Sequence, residues 1–257
     1  MADLVRHDKA RMMRADQLLV ERGLASSRSQ AQRLIASGVR WLDRGAWKRV
    51  AKNGDEVPGE AEIELLDAAE ARYVSRGGLK LEGALRASGV DVTGKRCLDV
   101  GQSTGGFTDC LLGHGAAHVT GVDVGHAQLH EKIRSDPRVT VVEKVNAREL
   151  SADQVGSDFD VIVTDLSFIS LTLVLPALGP LLKARGDLLL LVKPQFELQP
   201  GQVGKNGIVT DASLYAVVER RIRDGCEALG LQVRGWYDSA IAGGDGNREF
   251  FVHAMKS

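Results

Sequence analysis

The chain has 257 residues, 44% of them hydrophobic and 26% charged, with a formal net charge of −1. These figures leave room for one sizeable core and a small extra domain, and they are those of an ordinary soluble globular protein. Charge is unevenly spread: residues 1–50 hold eleven Lys and Arg against five Asp and Glu, an asymmetry that points to nucleic-acid or membrane contact.

Residues 1–13 are charged and read as a flexible lead-in. After Arg14, the residues Leu18, Leu19 and Gly23 predict a short helix closed by glycine. Ser26 or Ser27 can cap a second helix that carries Ala31, Leu34 and Ile35 and stops at Gly38. "VRWLD" and "DEVPGEAEIELL" read as short strands and complete a compact module over 14–66. An acidic stretch opens a linker over 67–76, and a second domain occupies 77–257. There, strands are predicted at 96–100, 118–123, 139–142, 160–164, 187–192, 232–238 and 249–255. Helices are predicted at 78–88, 105–113, 126–135, 169–183 and 211–229. Such alternation predicts an α/β fold, a doubly wound and mostly parallel sheet with helices on both faces.

Cys97, Cys110 and Cys226 are scattered and odd in number, which suits a reducing compartment, and no metal-ligand spacing is present. The longest apolar run, Leu188 to Val192, is far short of a membrane span. No apolar segment follows the N-terminal charges, so no signal peptide is expected and the default location is the cytoplasm, without a membrane partner or an obligate protein partner.

"LDVGQSTGGFTDCLL" (98–112) places a glycine-rich turn between a strand and a helix, where backbone can approach a ligand closely. A phosphate-binding P-loop would need lysine where Phe107 stands, and a dinucleotide fingerprint would need glycine where Ser103 stands. Asp99, Gly101 and Gly105 instead match Asp/Glu-x-Gly-x-x-x-Gly, the loop of Rossmann-like class I methyltransferases that bind S-adenosylmethionine. Asp99, Gly101, Ser103, Gly105, Gly106 and Phe107 are therefore candidates for the cofactor. Asp123 ends the next strand, where a carboxylate can accept both hydroxyls of a ribose. Asn146, after the third strand, either meets the adenine edge or forms a turn.

Asp165 and Lys193 end the fourth and fifth strands, at the crevice where open α/β sheets bind ligands. The text at Asp165 is "DLSF", without the proline pair of amino-methylating enzymes, and no cysteine stands there for attack on cytosine carbon. A ribose hydroxyl is a poor nucleophile that needs a cation beside its alkoxide or a neutral amine to take its proton. Lys193 can do either, with Asp165 fixing it. Lys80 in "SRGGLKL" and Glu249 in "DGNREFF" complete a Lys-Asp-Lys-Glu order that resembles the catalytic tetrad of FtsJ-type 2′-O-ribose methyltransferases.

"SRGGLKL", "DVGQSTGGFTDCLL", "DLSFISL", "LVKPQFE" and "DGNREFF", in that order, resemble the TlyA family. Residues 13–41 resemble the small RNA-binding module named after ribosomal protein S-four. The resemblance implies a 2′-O-methyltransferase of ribosomal RNA cytidines. It implies S-adenosylmethionine as cofactor, Lys80, Asp165, Lys193 and Glu249 as catalytic residues, and ribosomal RNA or ribosomal subunits as partner. In the basic module, Arg14, Arg28, Arg33 and Arg40 are the candidate phosphate contacts. The hairpin "DRGAWKRVAKNGDEV" departs from the usual module, with Trp41 and Trp47 nearby. Members also carry the name haemolysin, so a membrane-active cytolysin is an alternative. A third reading is an RNA-binding protein that has lost the chemistry.

Overall fold

The computed structural model describes residues 11–66 and 71–257, so residues 1–10 of the expected lead-in and 67–70 of the expected linker lie outside the described residues. The chain divides into two compact units, Met1–Ser75 and Arg76–Ser257.

In the smaller unit the order is β1 (Met12–Arg14), α1 (Ala15–Glu21), α2 (Arg28–Gly38), β2 (Val39–Asp43), β3 (Ala46–Arg49), β4 (Glu56–Pro58) and β5 (Ile63–Leu65). Met12 and Met13, read above as lead-in, are strand residues paired antiparallel with Pro58 and Val57. Ser27 caps α2, its hydroxyl accepting from Gln30 N at 3.2 Å. Leu18, Leu19, Leu34, Ile35, Val39 and Val57 form the core, so α1 and α2 bury one apolar stripe each against the strands.

The larger unit runs α3 (Gly77–Ser88), β6 (Arg96–Val100), α4 (Gly106–Gly113), β7 (His118–Asp123), α5 (Glu131–Arg134), β8 (Val139–Glu143), α6 (Ala152–Val155), β9 (Phe159–Thr164), α7 (Leu175–Leu178), β10 (Leu182–Val192), α8 (Pro194–Glu197), α9 (Ser213–Glu227), β11 (Leu231–Asp238) and β12 (Phe250–Lys256). Seven strands form one sheet in the order β11-β12-β10-β9-β6-β7-β8. Strands β6 to β10 are parallel, whereas β12 runs antiparallel to both β10 and β11. Strand order reverses between β6 and β9, and a crevice opens there beyond the carboxyl ends. The central strands are apolar on both faces because helices cover both; Leu188 to Val192 are at most 1% exposed.

Two predicted helices are largely absent. Residues 169–183 hold one turn of α-helix, α7, between two 3-10 turns, and β10 begins already at Leu182. Pro176 and Pro180 account for this: inside a continuous helix each would lack an N–H donor and clash with the carbonyl four residues earlier, and here each stands in the first turn of a short element. The helix expected over 126–135 is cut to α5. Ala127 has φ +55 and its N–H goes to the Glu143 carboxylate at 3.1 Å, so residues 124–129 stay open beside the crevice.

Candidate active site

The glycine turn after β6 lies under the loop after β9. Gly101 has φ +90, its N–H donates to Val122 O at 2.8 Å, and a Cβ there would collide with the Asp165 carbonyl. Gly105 is also left-handed, at φ +100, with the Leu129 side chain 2.8 Å from where a Cβ would sit. Glycine is required at both positions for conformation and for space. Ser103 lies between them at φ +49; its N–H donates to Asp123 Oδ2 at 2.7 Å, and Gly125 N–H donates to Oδ1 at 2.7 Å. Each carboxylate oxygen has two lone pairs, so Asp123 can brace the loop and still accept further hydroxyls.

A cavity of about 430 Å³ opens beside this turn, within the usual size range of small-molecule sites. Gly101, Ser103, Asp123, Asn146 and Asp165 contribute its polar lining, and Val124, Val145, Leu166 and Ile169 its apolar lining. Asn146 turns the chain as well as lining the cavity, its Oδ1 accepting from Arg148 N at 3.0 Å.

Four expected cofactor residues stand outside the cavity lining: Gly105, which shapes the turn, and Asp99, Gly106 and Phe107. Asp99 is fully buried behind the turn, where its Oδ2 accepts from Thr108 Oγ1 at 2.7 Å. Burial pushes its pKa up to about 7, against the pull of that hydrogen bond. Its Oδ1 is buried with no hydrogen-bond partner among the described residues. Phe107 is a correction: it is 3% exposed and stacks on Phe251 with centroids 6.0 Å apart, so it belongs to the core and not to the cavity wall. Gly106 opens α4 and is buried. Gln102 went unread in the sequence. It is 4% exposed, lies where a Cβ at Gly121 would be, and donates to Thr108 Oγ1 at 2.9 Å, which explains the polar residue inside the turn.

The residues present fit S-adenosylmethionine. An orphaned carboxylate oxygen lies under the turn, a glycine backbone leaves room above it, a second carboxylate stands where a ribose diol would be, and apolar side chains offer walls for a purine.

On the other side of the switch point the contacts are ionic. Lys193 Nζ is 2.6 Å from Asp165 Oδ1 and donates to Ser167 Oγ at 2.9 Å. Lys80 Nζ is 2.6 Å from Glu249 Oε2, and the two side chains are 9% and 3% exposed. Burial holds the Glu249 pKa above the usual carboxylate range. Lys80 opposes this most strongly, Lys193 opposes it further, and Asp165 adds to it. The four predicted side chains therefore lie within one another's fields, as two cations and two carboxylates.

Local sequence fixes each of them. Asp165 N donates to Val100 O at 3.1 Å, extending the β6–β9 pairing by one residue. Pro194, first residue of α8, keeps Lys193 extended at φ −110, ψ 102. Glu249 directly precedes β12, whose Phe250 pairs with Val192 beside Lys193. Lys80 is one of the buried residues of α3.

Ser167 and Phe168 were also missed. Phe168 is 90% exposed, has φ +64, and packs on Phe196 with centroids 5.0 Å apart. The signal was present as the aromatic of "DLSF", but an apolar residue after a strand reads as core unless its backbone conformation is known.

In the smaller unit the expected phosphate contacts have internal duties. Arg14 and Arg28 both bind Asp16 Oδ2 at 3.0 Å. Asp16 is fully buried, and Arg14 foremost, with Arg28, holds its pKa down to about 2. Arg40 pairs with Glu64 at 2.6 Å and lies over the Trp47 ring, 4.8 Å from its centroid. Lys48 lies over Trp41 at 5.6 Å, so the departing hairpin interleaves aromatic and basic side chains. Arg33 is half-buried on α2.

Comparison with known proteins agrees with this geometry. The pattern of the FtsJ-like methyltransferase family matches residues 73–256, and that of the S4 domain matches 13–38. The 16S/23S rRNA (cytidine-2′-O)-methyltransferase TlyA of Mycobacterium tuberculosis is 44% identical over 95% of this chain and 90% of its own. Hemolysin A of Brachyspira hyodysenteriae is 37% identical over 94% of this chain and 99% of its own. A hemolysin-named structure from Streptococcus thermophilus is 40% identical, covers 96% of this chain and 90% of its own, and superposes with a TM-score of 0.74.

Proposed function

The chain belongs to the TlyA family of FtsJ-like methyltransferases, and from that premise we propose how its residues methylate the 2′-hydroxyl of a cytidine ribose in ribosomal RNA. S-adenosylmethionine is the cofactor, and when bound it supplies an electrophilic methyl group. Asp123 holds the cofactor's ribose diol, Gly101 and Ser103 present backbone to it, and Asn146 with the apolar wall takes the adenine.

The single observation that carries this reading is the Lys193–Asp165 pair: Lys193 stands at the exit of β10, and its partner Asp165 lines the cofactor cavity. Lys193 Nζ meets the substrate 2′-oxygen and either accepts its proton as the neutral amine or, as the cation, stabilises the charge developing on that oxygen while the proton passes to water. Asp165 and Ser167 hold Nζ in place. Glu249 holds Lys80 beside them, so a second cation faces the oxygen without net charge accumulating in a largely buried site. The gain comes from positioning and from charge placed before the reaction begins. A sugar inside a duplex does not reach this crevice, so the target nucleotide enters unpaired or flipped, with exposed Phe168 offering a face on which its base stacks. Arg14, Arg28, Arg33 and Arg40 are the proposed phosphate contacts of the smaller unit, the first two through donors that Asp16 leaves free.

A cytolysin reading draws on the name of the Brachyspira relative; no helix among the described residues is long and apolar enough to cross a membrane. The test is to incubate the protein with labelled S-adenosylmethionine and ribosomal subunits and to map resistance to alkaline cleavage. Label at one cytidine ribose is expected. Label confined to bases, or absent, overturns the reading. Deleting residues 1–65 should leave cofactor binding intact and methylation of subunits poor; equal activity of the truncated protein overturns the docking role.

A further inference from the structure

A second cavity adjoins the first. It measures about 660 Å³ and shares Asn146, Phe168 and Ile169 with the cofactor cavity, so the two are separated by a wall one side chain thick. Its floor is apolar and accessible: Leu173 is 49% exposed, and Phe196 backs the exposed ring of Phe168. Two guanidinium groups complete it, from Arg148 and Arg221, both on exposed residues. Arg221 is anchored through Nη1 to the Glu197 carbonyl at 2.7 Å, which leaves its other N–H groups available. The carboxylate in this wall, Glu197, is not presented to a ligand: it is 3% exposed and already accepts from Ser170 Oγ at 2.5 Å and Leu171 N at 2.8 Å. Those bonds join the loop that carries Asp165 to the helix that follows Lys193, so the cavity is walled by the same two loops that hold the ion pair.

An apolar floor with arginines at its edge, one side chain away from the cavity that Asp165 lines, has the chemistry of a single-stranded nucleic-acid groove. We propose that this second cavity binds the RNA nucleotide next to the methylated one, its base on the Leu173–Phe196 floor and its phosphates against Arg148 and Arg221. The inference rests on the RNA-methyltransferase reading above. It adds that the enzyme grips an unpaired dinucleotide or longer strand rather than one flipped residue.

Arg148→Glu and Leu173→Glu alter exposed side chains of this cavity and none of the cofactor cavity. Both are tested in the full-length protein with ribosomal subunits as substrate. The expected result for Arg148→Glu is a KM for subunits raised about tenfold, a salt slope of log KM shallower by about one, and an unchanged affinity for S-adenosylmethionine. Leu173→Glu should raise KM with kcat within about threefold of wild type, because floor contacts bind the strand without touching the reacting oxygen. Wild-type KM in both variants, or a raised KM in Arg148→Glu without any change in salt slope, overturns the proposal. Failure of the parent reading looks different: the unaltered protein itself would transfer no methyl group to RNA.

Discussion

The two sides of the crevice solve different problems with different materials. On the β6–β7 side the proposed cofactor contacts are mostly backbone: left-handed glycines, N–H groups held by Asp123, and a carboxylate at the cavity wall. On the β9–β10 side, four charged side chains pair off at 2.6 Å, one pair almost wholly buried. The first side keeps its shape because hydrogen bonds from Ser103 and Gly125 N–H to Asp123 and from Gly101 N–H to Val122 O hold left-handed turns that glycine adopts without strain. The second keeps its charges because each has a partner, and removal of one member of a buried pair is expensive. Binding and chemistry should therefore be separable by mutation.

Lys193→Met should break the comparison open most widely, with single-turnover methyl transfer falling about 10²- to 10⁴-fold, the range lost with a general acid–base group. Glu249→Ala should lower the rate and also the stability, by about 3–5 kcal/mol in denaturant titration, because Lys80 is left buried without its partner. A variant as stable as the parent would show that the pair is not structural. Asp123→Ala should act on the other side alone. The Kd for S-adenosylmethionine, measured by calorimetry, should rise about 10- to 100-fold from loss of the charged hydrogen bonds, while the rate at saturating cofactor changes little.

The smallest expected effect concerns Asp99. Its folded-state pKa, about 7, lies above the usual value of 3.8 because the group is buried. The native state therefore holds more protons than the unfolded state between about pH 4 and 7, and stability falls as pH rises through that window. Asp99→Asn keeps an acceptor for Thr108 and removes this titration. Its melting temperature should fall less than that of the parent between pH 5 and pH 8, and an identical pH profile would refute the assignment.

The strands of the sheet were legible because parallel strands buried on both faces are continuous apolar runs, as at 188–192. Asp165, Lys193 and Glu249 could be singled out because each sits at a strand boundary that the same pattern marks, whereas Lys80, inside α3, entered only through the resemblance of the Lys-Asp-Lys-Glu order. What escaped was decided by backbone conformation or by distant contacts. Phe107 lies in the first turn of α4 and is core, whereas Phe168, in the loop after β9, has a left-handed φ and is 90% exposed. Prolines 176 and 180 were in plain view; the apolar spacing around them outweighed their effect in the helix predicted over 169–183. The engagement of Arg14 and Arg28 with Asp16 is invisible in a charge count, which sees only a basic segment.

If the cofactor and the activated hydroxyl occupy separate halves of one crevice, Lys193→Met must leave the affinity for S-adenosylmethionine intact. Calorimetric titration of the full-length variant should give a Kd within about twofold of the parent, since no hydrogen bond of the Asp123 side is lost. A Kd weakened tenfold or more, in a variant of unchanged stability, would contradict the division.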